Sequence, residues 1–243
     1  MIKVLRWIAA LGLGIGVLSL AAAYSVDGRG FDRIWNGAGL GLHACDEGGV
    51  PGGPERRLAW NHNDAIEISV PSTVRWRRGD GSDIVVRGSP ELIAHVVLRG
   101  KHLGLDCSWR AGKRDIEITL PGTAFRQISL SGATRLQMEN LSQPDLALRL
   151  SGSGNLRAQG AVERMSVTIS GSANARMADV TMGTLTLKIS GSGEVEAAPT
   201  DTADVTISGS GTLKLLSRPL HLNTKISGSG RITQMAAQAS DRK

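Results

Sequence analysis

The sequence predicts an all-β chain whose larger part is a β-solenoid, a coil of stacked parallel strands. The dipeptide Ser-Gly recurs six times at intervals of 18 to 20 residues, first at Ser131 and last at Ser227. Between these pairs apolar and polar residues alternate, as at Leu185, Leu187 and Ile189, which is typical of strands with one buried face. A repeat of about 19 residues carried by alternating strands indicates about six coils, each stacked on its neighbour.

The repeated ISGSG stretch is predicted to form the corner of each coil. Its glycines share the parity of the apolar residues, so we expect them to face a crowded axis that admits no side chain. The predicted corner glycines are Gly152, Gly154, Gly171, Gly191, Gly193, Gly209, Gly211, Gly228 and Gly230.

The corner serines have the opposite parity and are predicted to face outward or to cap the corner through their hydroxyls. As an alternative, they form a hydroxyl strip that docks a repetitive glycan or the edge of another sheet. This candidate binding ladder contains Ser151, Ser153, Ser170, Ser172, Ser190, Ser192, Ser208, Ser210, Ser227 and Ser229.

Further strands of the same domain are predicted to precede the coils. In the stretch TVRWR, Val74 and Trp76 fall on one face, and the arginines between and after them fall on the other. The GDGS sequence at 79–82 predicts a hairpin turn into the strand DIVVR. Ser89, followed by Pro90 and an acidic residue, predicts a single helical turn.

The N-terminus has the layout of a secretory signal. Lys3 and Arg6 precede an apolar run that ends in small residues, which predicts a signal peptide over 1–23. An uncleaved signal anchor is the alternative; after cleavage we expect no membrane span. The sequence therefore predicts a periplasmic or extracellular protein.

After the signal, the predicted organisation is a Gly-rich arm over 24–57, a β-solenoid domain over 58–235 and a polar tail over 236–243. Cys45 and Cys107 are the two cysteines of the chain. In an oxidising compartment an even pair favours a disulfide, and two unpaired buried thiols are the alternative.

The chain carries a formal net charge of +6, or +4 once Lys3 and Arg6 leave with the signal. Such a surface is either simply solvated or attracted to anionic envelope polymers. Arg75, Arg77 and Arg78 around Trp76 have the same two interpretations. The Arg-Gly-Asp tripeptide that begins at Arg78 resembles an integrin-binding motif, and the predicted hairpin turn is the competing explanation.

Three stretches carry a family resemblance. RLAWNHNDAIEISVPSTVRWRRGDGSDIVVRGSPELIAHV, then IEITLPGTAFRQISLSGATRLQMENL, then the ISGSG coils resemble the bacterial GIN domain family, named for a "putative" auto-transporter adhesin head domain. The resemblance covers roughly 58–235. It implies a secreted, single-chain, right-handed parallel β-helix without established catalytic residues, and it points to adhesion. The chain departs from the pattern at SGAT in the first coil, at SGSA in the third, and in the arm that contains Cys45.

Catalytic, metal and cofactor sites are not expected. No two adjacent coils carry a carboxylate at the same distance from the corner serine, and a polysaccharide-cleaving β-helix needs such a cluster. The corners also lack the aspartates of calcium-binding repeats. The five histidines show no metal-ligand spacing; they are His43, His62, His95, His102 and His221.

These patterns predict an exported, non-enzymatic binding or scaffold module of the bacterial envelope, with a glycan or a protein as partner and no nucleic acid. The first alternative is a periplasmic protein that binds its partner through the exposed last coil around Ile232. A polysaccharide-acting β-helix enzyme is the remaining alternative.

Overall fold

The structure is a computed structural model that describes residues 53–61, 63–107 and 116–235. These residues belong to one compact unit, Ala44–Lys243, and a second unit, Met1–His43, lies outside them. The predicted signal peptide, most of the arm with Cys45, and the polar tail also lie outside the described residues, so these boundaries stay predictions.

The described chain contains fifteen strands and one short helix. The strands and the helix are β1 Glu55–Ala59, β2 Ala65–Ile68, β3 Thr73–Arg77, β4 Asp83–Arg87, α1 Pro90–Ile93, β5 Val96–Arg99, β6 His102–Leu105, β7 Glu117–Thr119, β8 Gln127–Gly132, β9 Arg135–Gly152, β10 Asn155–Gly171, β11 Asn174–Gly191, β12 Glu194–Gly209, β13 Thr212–Leu215, β14 His221–Gly228 and β15 Arg231–Gln234.

Strands β8 to β15 stack in parallel and form the predicted β-solenoid. The corner glycines Gly132, Gly152 and Gly171 are in register from β8 to β10, and the same column continues through β11, β12 and β14. Each long strand pairs with the next coil in two segments separated by a register shift, as between Arg157 and Gln159. One coil of the structure therefore corresponds to one repeat of the sequence. The predicted all-β fold of stacked coils is confirmed.

The alternating apolar residues form the interior of the solenoid. Leu150, Ile169, Ile189 and Ile207 occupy one column of successive coils, and each is at most 2% exposed. Because every coil contributes the same positions, the core extends along the stack as continuous columns of aliphatic side chains. No local sequence within one coil could bury this face alone.

The two glycines of each corner have different roles. Gly191 has φ 124°, and a Cβ there would lie 2.4 Å from the carbonyl oxygen of Gly171. Gly193 is buried, and a Cβ there would lie 2.9 Å from the Ala173 oxygen and 2.9 Å from the Ile169 Cγ2. The expected crowding at the axis thus applies to the second glycine. The first lies nearer the surface and is needed for its left-handed backbone and for close approach to the preceding coil.

The coil with SGSA keeps this arrangement. Ala173 takes the place of the second glycine and is fully buried. The departure from the family pattern is therefore accommodated within the stack.

The strands before the coils continue the stack and then close its N-terminal end. β2 pairs with β8 and β3 with β9, both in parallel, so residues 65–77 add to the solenoid. β4 pairs antiparallel with β1 and β7, and β5 pairs antiparallel with β6. This end of the core is thereby covered by antiparallel strands.

Trp76 lies in the core of this region, as predicted. It is 1% exposed, and its indole Nε1 donates a hydrogen bond of 3.0 Å to the Thr123 oxygen. The ring of Phe125 lies 5.6 Å from that of Trp60. The aromatic side chains of the described residues thus lie before the coils, and the coils bury aliphatic side chains and methionines.

The predicted hairpin at 79–82 is wrong. β3 and β4 are not neighbours, because β7 lies between them in the sheet. The loop instead folds around the end of β7: Gly79 N donates to the Gly122 oxygen at 3.2 Å, and Gly122 N donates to the Gly81 oxygen at 2.9 Å. A Cβ at Gly122 would lie 2.2 Å from the Gly79 oxygen, so the glycine permits this close approach. Turn-forming composition predicted the turn but could not predict which strands it joins.

The predicted helical turn is confirmed as α1, with Ser89 at the N-cap and Pro90 at the first helical position. The Ser89 side chain makes no capping hydrogen bond; its backbone oxygen accepts from the amides of Leu92 and Ile93 at 3.0 Å. The cap therefore acts through the main chain.

Candidate functional site

The corner serines form one continuous outward strip. Ser151, Ser170, Ser190, Ser208 and Ser227 are in register on successive coils, and the second serine of each corner follows two residues later. We call the ten serines of the predicted ladder the serine strip. All ten are exposed.

Backbone hydrogen bonds, not hydroxyls, fix these corners. Ser172 N donates to the Gly152 oxygen at 3.0 Å, Ser192 N to the Gly171 oxygen at 3.0 Å, and Ser210 N to the Gly191 oxygen at 2.9 Å. Within the described residues, no hydroxyl of the serine strip has a hydrogen-bond partner. The expected hydroxyl cap is thus replaced by an amide contact, and the hydroxyls are available to a ligand.

An arginine-rich hollow adjoins the strip on the strand segments that follow the corners. It has a volume of about 330 Å³. We call it the arginine hollow, and its polar side chains are Arg135, Gln137, Asn155, Arg157, Asn174 and Arg176.

Two coils contribute the same motif to the arginine hollow. SGSGNLR begins at Ser151 and SGSANAR begins at Ser170, which places Asn155 opposite Asn174 and Arg157 opposite Arg176. Sequence reasoning missed these residues because it compared acidic residues at equal offsets and did not compare basic ones. The recurrence of Asn and Arg at four and six residues after the corner serine was the signal that could have found them.

The charges around the hollow are mostly paired, whereas two of the three arginines in it are not. Next to it, Arg75 contacts Glu117 at 3.0 Å and Arg77 contacts Glu139 at 3.2 Å. Inside it, Arg157 reaches Asp179 only at 4.0 Å, and within the described chain neither Arg135 nor Arg176 has an acidic partner within that distance. Two guanidinium groups without an acidic partner, those of Arg135 and Arg176, therefore line the hollow.

The arginines of the basic run around Trp76 contact other residues of the chain. Arg75 and Arg77 form the ion pairs just given, and Arg78 Nη1 donates to the Ser142 oxygen at 3.0 Å. Arg78 and the loop that follows it are therefore held by hydrogen bonds, while all three residues of the Arg-Gly-Asp tripeptide are exposed.

The resolved pKa shifts occur at exposed ion pairs. Arg164 donates hydrogen bonds of 2.7 and 3.0 Å to the Asp145 carboxylate, which lowers the pKa of Asp145 and raises that of Arg164. A hydrogen bond from Arg87 lowers the pKa of Glu55, and one from Lys101 lowers the pKa of Glu67. Each shift favours the charged form of the carboxylate, whereas a general acid needs a raised pKa.

One cluster of potential ligand atoms was not expected from the sequence. His95, Asp106 and Cys107 place one donor atom each within 4.8 Å of one another, and His95 Nδ1 lies 2.8 Å from Asp106 Oδ1. Cys107 is buried and is not a free thiol. The cluster therefore does not offer a thiolate to a metal. The predicted partner of Cys107, Cys45, lies outside the described residues, so their bridge stays a prediction.

The C-terminal end of the stack is open in the described part of the chain. β14 pairs with β12 on one side, and all of its residues are exposed. The exposed large apolar side chains of the described residues gather at this end; they are Leu220 at 78%, Leu222 at 40%, Ile226 at 44% and Met235 at 55%. Together they form an apolar surface beside a strand edge.

No helix among residues 53–61, 63–107 and 116–235 is both long and apolar enough to cross a membrane.

The fold is similar to that of a solved protein. A crystal structure of a "putative adhesin" from Bacteroides fragilis superposes with a TM-score of 0.57 and 18% identity, covering 76% of this chain and 99% of that one. A "putative lipid binding protein" from Parabacteroides distasonis gives a TM-score of 0.48 and 16% identity, over 75% of this chain and 96% of that one. A search of the curated proteins found no match. Residues 62–236 match the family described as "Putative auto-transporter adhesin, head GIN domain", and the chain belongs to this family.

Proposed function

We propose that the protein is an exported, non-enzymatic, adhesin-like binding module of the bacterial envelope that docks a glycan along the serine strip. The observation that carries the proposal is the register of the strip: exposed hydroxyls without protein partners recur on five successive coils. A hydroxyl both donates and accepts, so such a strip can bond to the hydroxyls of a sugar chain.

The shape of the strip suits an extended, repetitive ligand. Strands of one sheet lie ~4.8 Å apart, so five coils present equivalent hydroxyls over roughly 19 Å. The coils are nearly equal in length and carry no aromatic residue after Phe125. The ligand would therefore be held by many polar contacts along a flat surface, without a cleft and without stacking on an aromatic ring.

Family membership supports adhesion and an envelope location, because the family is described as an adhesin head domain. The predicted signal over 1–23 supports export. A disulfide between Cys45 and Cys107 would be in keeping with an oxidising compartment. We assign no catalytic residues, since the resolved carboxylate pKa shifts all favour the charged form and occur at exposed ion pairs.

The test is co-sedimentation of the full-length protein with isolated cell envelopes, at low and at moderate salt. The double substitution Ser190→Glu with Ser210→Glu should abolish retention and leave the circular dichroism spectrum unchanged. The matched control is Ser142→Glu with Thr181→Glu, which adds the same charge at exposed positions of the opposite corner. Retention by the strip variant, or equal loss in both variants, would show that the strip does not bind the envelope.

Salt separates specific docking from simple charge attraction. Interactions between exposed charges are largely screened at moderate ionic strength, whereas hydroxyl contacts are not. We expect wild-type retention to persist at about 0.15 M salt. Complete release of the protein from the envelopes at that salt would mean that it binds only by nonspecific charge attraction.

A second function, binding a protein partner at the open C-terminal end, is favoured by the exposed edge of β14 and the apolar side chains beside it. Backbone groups on a strand edge are satisfied by another strand, so the partner would be an extended polypeptide. Arg218, Lys225 and Arg231 make this end basic, which favours an acidic segment. In-cell crosslinking from this end should disappear with Leu220→Asp and persist with Ser142→Asp; equal crosslinking in both would exclude the site.

A further inference from the structure

The arginine hollow continues the polar row of the serine strip. Ser151, Ser153, Asn155 and Arg157 alternate along one coil and face outward, and the next coil repeats the row from Ser170 to Arg176. The guanidinium groups therefore lie on the same outward face as the hydroxyls, four residues beyond the second serine of these two corners.

Two arginines of the hollow stand directly opposite each other. Arg157 and Arg176 are register partners on β10 and β11, so their Cα atoms are separated by one strand spacing of ~4.8 Å. Like charges in this position repel. Arg135, on β9, lines the same hollow one coil earlier. An anion bound between these arginines would relieve the repulsion.

The acidic residues near the hollow neutralise only part of its charge. Asp179 lies 4.0 Å from Arg157, beyond hydrogen-bond distance. Glu196, the register partner of Arg176, contacts Lys214 at 3.0 Å. Glu194 is the register partner of Asn174 and lies at the rim of the hollow. The hollow thus retains guanidinium donors that no carboxylate of the described chain occupies.

We propose that the arginine hollow binds the carboxylates of an acidic polysaccharide, so that the ligand class of the module is a uronate-type glycan. This inference rests on the proposed docking of a glycan. A guanidinium binds a carboxylate through two parallel hydrogen bonds, and the amides of Asn155 and Asn174 add donors and acceptors for the adjoining sugar hydroxyls.

A sugar chain fits the hollow better than an anionic lipid does. An anchored lipid needs an apolar surface for its acyl chains beside the head-group site. The exposed large apolar side chains of the described residues lie at the C-terminal end, from Leu220 to Met235, and not at the hollow. The neighbours of the hollow are the hydroxyls of the serine strip.

The experiment measures binding of the full-length protein to polygalacturonate at about 0.15 M salt, where weak surface attraction is screened. Arg157→Gln with Arg176→Gln should weaken binding by about tenfold or more, because charge-assisted hydrogen bonds are lost. The control, Arg99→Gln with Arg218→Gln, removes the same charge from exposed positions away from the serine strip and the hollow, and should change affinity less than about threefold.

Two further measurements test whether binding needs the carboxylates of the polymer and the paired hydrogen bonds of the arginines. Fully methyl-esterified polygalacturonate has the same sugar chain without the charge and should bind at least about tenfold more weakly. Arg157→Lys with Arg176→Lys keeps the charge, loses the paired hydrogen bonds and should give an intermediate affinity. Equal affinity for both polymers, or equal loss in the two glutamine variants, would overturn the proposal.

The outcomes separate this inference from the proposed function. If envelopes are retained through the serine strip but polygalacturonate does not bind, the uronate class is wrong and glycan docking stands. If polygalacturonate binding depends on the two arginines while the strip variant still retains envelopes, the hollow stands and docking along the strip is wrong.

Discussion

The isoleucine of the pentapeptide ISGSG is buried in one coil and exposed in another. Ile207, in the coil of β12, is fully buried, whereas Ile226, in the coil of β14, is 44% exposed. The local sequences are nearly identical, and the two corners are register partners. Because Ile207 has a coil on both sides and Ile226 has one on a single side, burial in this fold is supplied by neighbours and not by the repeat itself.

The two ends of the stack differ for the same reason. The N-terminal end is covered by sequence that leaves the repeat: α1, the antiparallel pair of β5 and β6, and the sheet of β1, β4 and β7. The C-terminal end retains the repeat up to its last described coil. A strand edge can thus be covered only by a change of sequence or by a partner.

The largest effect is expected at the corner glycine of an interior coil. Gly191→Ala adds a Cβ that meets the Gly171 oxygen at 2.4 Å and forces φ 124° on an L-residue. We expect a loss of about 3 to 5 kcal/mol in the free energy of unfolding, measured by urea denaturation.

Gly132→Ala is the matched control for the glycine substitution. Gly132 also has a positive φ, 83°, but nothing lies within 4 Å of an added Cβ. It should lose only about 1 to 2 kcal/mol, the cost of the backbone conformation. Equal losses at the two sites would mean that crowding between coils contributes nothing.

Truncating the isoleucine of the repeat tests the comparison directly. Ile207→Ala opens a cavity between two coils and should cost about 2 to 4 kcal/mol. Ile226→Ala removes a half-exposed side chain at the open end and should cost less than about 1 kcal/mol. Both are measured by urea denaturation. A large loss at Ile226 would show that the open end is covered in solution.

The coil fold was predictable because its signal is periodic. Strand parity and the interval between Ser-Gly pairs fix the buried columns, and the structure places Leu150, Ile169 and Ile189 in the expected one. The burial of Trp76 was predicted from the same alternation. These inferences needed only the position of a residue along its own strand.

The wrong prediction of a hairpin and the missed cluster of ligand atoms both depend on which strands become neighbours. The turn at 79–82 was predicted to join β3 to β4, but β7, about forty residues later in the sequence, lies between them. The cluster of His95, Asp106 and Cys107 forms across a strand pairing, β5 with β6, that no spacing rule reveals. The arginine hollow is different, because the sequence repeat itself aligns Arg157 with Arg176 and basic residues at equal offsets were a usable signal.

The pH dependence should reveal an ion pair that joins two coils. The hydrogen bonds from Arg164 hold the pKa of Asp145 below its ordinary value of 3.8. A lowered carboxyl pKa contributes stability above the unfolded value, and this stability is lost as the pH falls through the folded value. The melting temperature of Asp145→Asn should therefore lie below that of wild type at neutral pH and converge with it well below pH 3.8. A difference that stays constant with pH would mean that the ion pair does not cause it.

The smallest effect is expected at the serine strip. Ser172 is exposed, and its hydroxyl has no partner, whereas its amide bonds to the Gly152 oxygen at 3.0 Å. Ser172→Ala keeps the amide and should change the free energy of unfolding by no more than about 0.5 kcal/mol, measured by urea denaturation beside Gly191→Ala. Stability at the corner would then reside in the glycine and the backbone, so that the hydroxyl is free to serve binding. A loss near 2 kcal/mol would instead make the serine a structural cap, and would remove the main physical reason for assigning the strip to a ligand.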